Sequence, residues 1–226
     1  MSEIYVLSTS LKFDDQFCYL KKTQMEREVC PGDPSHAKRQ RWGRPLQILG
    51  SIVPITDIEC TVFNDLLVGP EIVSALKAAH FSGIDFTPVE LFTTTEIPIS
   101  REVYELKVTG WGGQAPPESG IKVKEECPYC GRQVFTGITN SRMLFDIDGW
   151  DGSDFFIIWP MPKYIIVTAK VRDFFLERAY SGVAFHTLDK LCSSRFHNLQ
   201  TFSPGNLADW FDRNKLAELN FRARGN

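Results

Sequence analysis

The sequence has no apolar run approaching the ~20 residues that a helix needs to cross a bilayer. Its first residues also lack the basic start and apolar stretch of a secretory signal. We therefore expect a cytoplasmic protein that does not contact the membrane. Cysteines stay reduced in that compartment, so a paired-cysteine motif is expected to bind a metal or to do redox chemistry.

A strong excess of one charge is missing as well. Lys and Arg total 25 against 28 Asp and Glu, which gives a formal net charge of -3 over 226 residues. This balance creates no global field that would attract nucleic acid. The sequence also lacks the Gly-x-Ser-x-Gly, His-Glu-x-x-His and glycine-rich phosphate-binding patterns of common enzymes. We therefore expect a protein that is not an enzyme.

The most informative motif present is Cys127-Pro-Tyr-Cys130-Gly131. Two thiols three positions apart, followed by a glycine that tolerates a tight turn, are typical of half a tetrahedral zinc site. A closed structural site needs four ligands, so the rest must come from elsewhere in the chain. Cys30 is the best third ligand because it shares the Cys-Pro opening. The sequence thus predicts a structural zinc ion that joins two distant turns.

The fourth ligand stays open between Asp33 and His36. Asp33 has the spacing at which a second cysteine would be expected, whereas His36 offers a ligand atom that zinc prefers. Cys18 is a further alternative, although its neighbours are apolar. A site that has lost its metal and is held by packing alone is the remaining interpretation.

Two catalytic interpretations of the same motif compete with structural zinc. Cys-Pro-Tyr-Cys is also the tetrapeptide of glutaredoxins, where a helix follows and its N-terminus lowers the pKa of the first thiol. Residues 131–137 favour a strand instead, so that activation is not expected here. Alternatively, Asp33 could stand in for a cysteine and leave a zinc position open to water, as in metalloenzymes.

Hydrophobic periodicity predicts an α+β fold. A helix is expected to begin at Pro70, a position that suits proline, with apolar residues at helical spacing on one face. Residues 67–91 match residues 166–190 without a gap, at an offset of 99. We therefore predict two similar strand–helix–strand units with mixed sheet, and an inserted zinc-ribbon-like β-hairpin. The alternative is that the match is a coincidence, because any two strand–helix–strand segments place apolar residues at the same periodic positions.

Domain organisation follows from these patterns. We expect residues 1–200 to form a single α+β domain, with zinc-ribbon-like elements around 28–45 and 121–138. Residues 201–226 are expected to form a C-terminal helical extension, capped by Asn206.

Two charged segments are candidate binding surfaces. The first segment is acidic and could contact a basic partner protein through four carboxylates and an aromatic side chain. These residues are Asp146, Asp148, Trp150, Asp151 and Asp154. The alternative is a turn whose aromatic side chains point into the core.

The second segment is basic and lies near Cys30. It could hold nucleic acid around a zinc ribbon through Lys38, Arg39, Arg41 and Arg44, with Trp42 available for stacking on a base. A solvated loop is the favoured interpretation of the basic segment, since the overall charge is acidic.

The chain resembles the bacterial double-CXXCG-motif family. The Cys127 motif resembles the family's second motif, Cys30-Pro31-Gly32 resembles part of its first, and residues 146–189 resemble the downstream block. The resemblance implies an immunity protein of a polymorphic toxin system, which binds and neutralises a cognate toxin without catalysis. Asp33 departs from the first motif, where the family has a second cysteine. A zinc-ribbon nucleic-acid-binding protein is the alternative function.

Overall fold

The structure is a computed structural model, which describes residues 3–9, 18–19, 25–42, 45–50, 53–61, 65–193, 201–211 and 213–224. Only the backbone is described at residues 18–19, 25–27, 37–42, 192–193, 208, 213 and 220–224.

The described residues form short strands and a few short helices. The strands are β1 Ile4–Thr9, β2 Cys18–Tyr19, β3 Met25–Val29, β4 Ala37–Trp42, β5 Leu46–Leu49, β6 Ile58–Cys60, β7 Leu66–Val68, β8 Ile84–Phe92, β9 Pro98–Ile99, β10 Tyr104–Val108, β11 Trp111–Gln114, β12 Val123–Glu126, β13 Gln133–Thr136, β14 Phe155–Trp159, β15 Ile165–Thr168, β16 Val183–His186 and β17 Thr201–Phe202. The helices are α1 Pro70–Ala78, α2 Ala169–Glu177, α3 Lys190–Ser193 and α4 Arg213–Arg224.

The strands form two large sheets and two small ones. One large sheet has the order β11-β14-β15-β1-β16, and the other has the order β2-β5-β8-β10-β7-β6, with β9 paired to β8. Most neighbours are antiparallel, but β5 pairs with β8 and β11 pairs with β14 in parallel. The small sheets are β12-β13-β17 and the β3-β4 hairpin. The predicted mixed α+β class is confirmed.

Helix α1 begins at Pro70, as the periodicity predicts. Proline suits this first position because its fixed φ is helical and its missing N–H needs no intrahelical acceptor. Ile72, Val73 and Leu76 face the core, where they pack with residues from both large sheets. Helix α2 buries Val171 in the same apolar cluster, so one core joins the two helices.

The turn after α1 attaches to the start of β14. The Ser82 N–H and hydroxyl donate hydrogen bonds to Asp154 Oδ2 at 3.0 and 3.1 Å, and the Phe155 N–H donates to the Ser82 carbonyl oxygen at 3.1 Å. Gly83 has a φ of +80°, and a Cβ there would lie 2.0 Å from the Phe155 carbonyl oxygen. Glycine is required both for this backbone conformation and for the close approach.

The turn after α2 makes corresponding contacts with the start of β6. The Ser181 N–H and hydroxyl donate to Asp57 Oδ2 at 2.8 and 2.6 Å, and the Ile58 N–H donates to the Ser181 carbonyl oxygen at 3.1 Å. Gly182 has a φ of +94°, and a Cβ there would lie 1.9 Å from the Ile58 carbonyl oxygen. The turn after α1 leads into β8 of one large sheet and bonds to β14 of the other. The turn after α2 leads into β16 and bonds to β6, so the two sheets are joined by hydrogen bonds in both directions.

The C-terminal segment is helical later than its sequence predicts. Asn206 and Asp209 form a capping box around a single 3-10 turn, and α4 begins at Arg213. The box satisfies two N–H groups at the start of that short turn, those of Asn206 and Asp209. Among the described residues, no helix has the length and apolar character needed to span a membrane.

Candidate metal centre

The first turn of the candidate site connects β3 to β4. Cys30 follows β3 directly and His36 directly precedes β4. The Cys30 N–H donates to the His36 carbonyl oxygen at 3.3 Å, and the His36 N–H donates to the Asp33 carbonyl oxygen at 3.4 Å. These bonds close the turn and bring Cys30 and His36 to its two ends, side by side.

The second turn connects β12 to β13, which pair antiparallel on either side of it. The Cys127 N–H donates to the Arg132 carbonyl oxygen at 2.9 Å, and the Gly131 N–H donates to the Cys127 carbonyl oxygen at 2.9 Å. Gly131 has a φ of +69°, a left-handed conformation that favours glycine. The turn therefore presents the thiols of Cys127 and Cys130 from one short segment.

The two turns bring their side chains together. Cys30 Sγ lies 3.7 Å from Cys127 Sγ, and Cys130 Sγ lies 3.6 Å from His36 Nδ1. One ligand atom from each of the four residues lies within 4.8 Å of every other. Cys30 is buried, and the remaining three are half-buried. The prediction that Cys30 folds back onto the later thiol pair is confirmed, and the four residues lie close enough to hold a metal ion.

Asp33 lies beside this group and is not one of its four members. Its Oδ1 accepts a hydrogen bond from the Ser35 N–H at 2.8 Å, and its Oδ2 lies 3.6 Å from His36 Nε2. The hydrogen bonds from Ser35 lower the pKa of the Asp33 carboxyl. The carboxylate is thus charged and faces the ring nitrogen that points away from Cys130.

A contact between the turns had no counterpart in the sequence-based reasoning. A Cβ built on Gly32 would lie 1.9 Å from Cδ2 of Tyr129, so the Tyr129 ring rests against the Gly32 backbone. The ring is otherwise exposed, with 66% of its surface accessible. The sequence offers one indication of this contact, which is a glycine in the first turn and an aromatic residue in the second.

The two thiols of the second turn differ in acidity in the metal-free protein. The Tyr129 backbone N–H lowers the pKa of Cys127. Desolvation raises the pKa of Cys130 to about 11. Since a metal binds the thiolate form, binding must displace a proton from Cys130 and is therefore coupled to pH.

The predicted acidic contact segment divides into internal and exposed carboxylates. Asp151 accepts hydrogen bonds from the Trp111 and Ser153 N–H groups and from Lys215 Nζ, the last at 3.0 Å. Burial alone would raise the pKa of Asp151, but a hydrogen bond from the Ser153 hydroxyl, followed by the one from Lys215 and those from the two N–H groups, outweighs it and lowers the pKa. Asp154 binds the turn at Ser82. Both carboxylates therefore hold the fold together.

The aromatic side chain of this segment also turns inward. Trp150 is half-buried, packs against Phe145 and Phe156, and donates its indole N–H to the Ser153 carbonyl oxygen at 3.1 Å. Asp146 and Asp148, by contrast, are exposed. Their role in partner binding stays a prediction.

The basic segment gives no site geometry. Arg44 and the side chains of Lys38, Arg39, Arg41 and Trp42 lie outside the described residues, as does the side chain of Cys18. The nucleic-acid alternative and the fallback ligand therefore stay predictions. Comparison with known proteins identifies no relative: no protein-family model matches the chain, and a search of curated proteins finds no match.

Proposed function

We propose that this chain is a cytoplasmic, non-catalytic immunity protein that binds and neutralises a cognate bacterial toxin, and that it carries a structural zinc ion. The observation that supports the proposal most is the convergence of Cys30 and His36 with Cys127 and Cys130 across 97 positions of chain. It unites the two turns that carry the resemblance to the double-CXXCG family. That resemblance supplies the toxin-binding role.

Zinc is the metal that fits the donor set. Three sulfur atoms and one imidazole nitrogen are a standard structural zinc combination. A tetrahedron with Zn–S near 2.3 Å and Zn–N near 2.0–2.1 Å has an S–S edge of about 3.8 Å and an S–N edge of about 3.6 Å. The Cys30–Cys127 and Cys130–His36 separations are 3.7 and 3.6 Å. Two of the six edges therefore already match a zinc tetrahedron, and the other separations between ligand atoms are at most 4.8 Å.

The same donor set supports a structural role over a catalytic one. Four protein ligands fill a tetrahedral site, whereas a catalytic zinc keeps one position for water. In the metalloenzyme alternative, Asp33 replaces a cysteine and one zinc position is left open to water. His36 would be a fourth protein ligand and would fill that position. The chain after Cys130 enters strand β13 and not a helix, which removes the activation that a glutaredoxin thiol requires. We therefore infer that zinc stabilises the fold and does no chemistry.

Toxin binding is assigned to the exposed part of the acidic segment. Asp146 and Asp148 are exposed, and they flank Ile147, which is 50% accessible, while Met143 nearby is 41% accessible. Exposed apolar side chains bordered by carboxylates suit a basic partner surface, because the charges steer the encounter and the apolar groups anchor it. Asp151 and Asp154 are left out of this surface because they are half-buried and their carboxylates bond to distant parts of the chain, whereas Asp146 is exposed and accepts only a local hydrogen bond from the Asp148 N–H.

The test uses a toxin domain encoded in the reading frame next to this gene. Co-expression of the chain should restore growth of cells that produce the toxin domain, and the purified proteins should bind. The double variant Asp146→Ser/Asp148→Ser should lower the association rate roughly threefold to tenfold at low salt, with little effect at high salt.

A control with the same loss of charge is Asp85→Ser/Glu90→Ser, on exposed positions of β8. It should leave the association rate near that of the unchanged protein. Equal rates for both double variants would remove residues 143–148 from the interface. Failure of the chain to bind or neutralise the adjacent toxin domain would refute the immunity function itself.

We also infer that the chain contains two similar structural units with a zinc-ribbon-like insertion. Helices α1 and α2 have equal length and begin 99 residues apart. The correspondence extends beyond the aligned segment, since β10 lies between β7 and β8 as β1 lies between β15 and β16. Tyr104 pairs with Val68, and Tyr5 pairs with Val167. Val167 lies 99 positions after Val68, whereas Tyr5 lies 99 positions before Tyr104, so β10 follows its unit in the chain and β1 precedes its own. The matched helix-end turns support a pseudo-twofold arrangement of these units.

A further inference from the structure

The two ring nitrogens of His36 face different groups. Nδ1 lies 3.6 Å from Cys130 Sγ, and Nε2 lies 3.6 Å from Asp33 Oδ2. A neutral imidazole carries its single proton on one nitrogen only, and the nitrogen that binds a metal must be the other. For His36 to bind through Nδ1, the proton must therefore reside on Nε2, the nitrogen that faces the carboxylate.

Asp33 is held in a position to favour this tautomer. Its Oδ1 accepts the Ser35 N–H at 2.8 Å, while its backbone carbonyl oxygen accepts the His36 N–H. The two bonds fix the carboxylate within the turn and direct Oδ2 at the His36 ring. The 3.6 Å separation is longer than a hydrogen bond, so the carboxylate acts on the facing N–H through its negative charge.

We propose that Asp33 is a positioning residue that holds His36 in its metal-binding tautomer and orientation, and that it is not itself a ligand. This inference rests on the zinc site proposed above. It also accounts for the difference between the two turns. Cys-Pro-x-Cys supplies both ligands of the second turn, whereas in Cys-Pro-x-Asp the second ligand is His36, three residues on, and the aspartate supports it. Carboxylates that orient ligating histidines commonly change metal affinity by about 10- to 100-fold.

The experiment measures zinc affinity of the full chain by competition with a chromophoric chelator. Asp33→Asn removes the charge at nearly constant size, and Asp33→Ala removes the side chain. Both should weaken zinc binding by about 10- to 100-fold. Glu125→Gln removes an exposed charge two residues from Cys127 and should leave zinc affinity unchanged.

Two spectroscopic measurements separate positioning from ligation or folding. In the zinc-loaded protein, nitrogen NMR of His36 should show a protonated Nε2, and its proton should exchange with water faster in Asp33→Ala. The visible spectrum of the cobalt-substituted protein should keep its three-sulfur, one-nitrogen form in both Asp33 variants. A cobalt spectrum that changes in Asp33→Asn would identify Asp33 as a ligand and overturn the inference.

The outcomes also distinguish this inference from the zinc site on which it depends. If the unchanged protein binds one zinc ion and the Asp33 variants bind it equally well, the positioning role is wrong and the zinc site stands. If the unchanged protein binds no zinc, and His36→Ala behaves identically, both fail.

Discussion

Removing the proposed zinc ion should weaken the whole fold, because the ion would connect parts of the chain that are far apart in sequence. Cys30 and Cys127 are separated by 97 positions. A cross-link that closes a loop of about 100 residues lowers the entropy of the unfolded chain and so raises its free energy by about 4.7 kcal/mol at 25 °C in the chain-entropy model. Domains of this kind are stable by only about 5–15 kcal/mol, so the loss is a large share.

Urea unfolding with and without a strong chelator measures this effect. We expect the free energy of unfolding to fall by about 3–5 kcal/mol when zinc is removed. Cys30→Ser should have the same reduced stability in zinc and in chelator. Cys60→Ser is the matched control, because Cys60 is buried in the apolar core and not in the metal group. It should be destabilised but keep its response to chelator.

The reasoning would be refuted by a protein that contains stoichiometric zinc before treatment, loses it to the chelator, and unfolds at an unchanged urea concentration. That result would mean that Cys30 and Cys127 are held together by packing alone. The metal would then have no structural role.

Two further predictions concern the fold around the site. Gly182→Ala should lower the free energy of unfolding by at least about 2 kcal/mol, because its Cβ would meet the Ile58 carbonyl oxygen at 1.9 Å in a left-handed backbone. Gly152 also has a left-handed backbone but open space around it, so Gly152→Ala should lower the free energy of unfolding by only about 1 kcal/mol. Urea titrations of both variants check this, and equal losses would contradict the proposed close approach. Burial, followed by the nearby Glu105, raises the pKa of Asp65 to about 7 from 3.8. The folded state therefore keeps this proton to higher pH than the unfolded state, so stability should fall as pH rises from about 4 to 7, by at most about 1.4 kcal/mol per pH unit. Asp65→Asn should flatten that decline, and an unchanged pH profile would show that Asp65 does not cause it.

Features that depend on neighbouring residues could be predicted well from the sequence. The helix that begins at Pro70 follows from proline at its first position and an apolar stripe of helical period. The tight turn that presents Cys127 and Cys130 follows from the thiol spacing and the glycine after it. The C-terminal helix was predicted too early, since the capping residue Asn206 closes a separate short turn.

Features that depend on distant residues could not be predicted in this way. The acidic segment alternates carboxylates with aromatic residues, and nothing in that pattern shows which side chains are used internally. Asp151 meets Lys215 and Asp154 meets Ser82 only because the folded chain brings those residues to it. Asp146 and Asp148 stay exposed although their spacing in sequence is equally suggestive.

The sequence by itself predicted the kind of site, because a thiol pair with a third cysteine favours zinc through its chemistry alone. Only the tertiary structure placed His36, and not Asp33, in one group with the three thiols. The direction of each side chain depends on how the first turn meets Cys130, which lies 94 positions from His36. Spacing along the chain contains no information about that meeting, so spacing favoured Asp33, ligand chemistry favoured His36, and both stayed open until the turns were placed face to face.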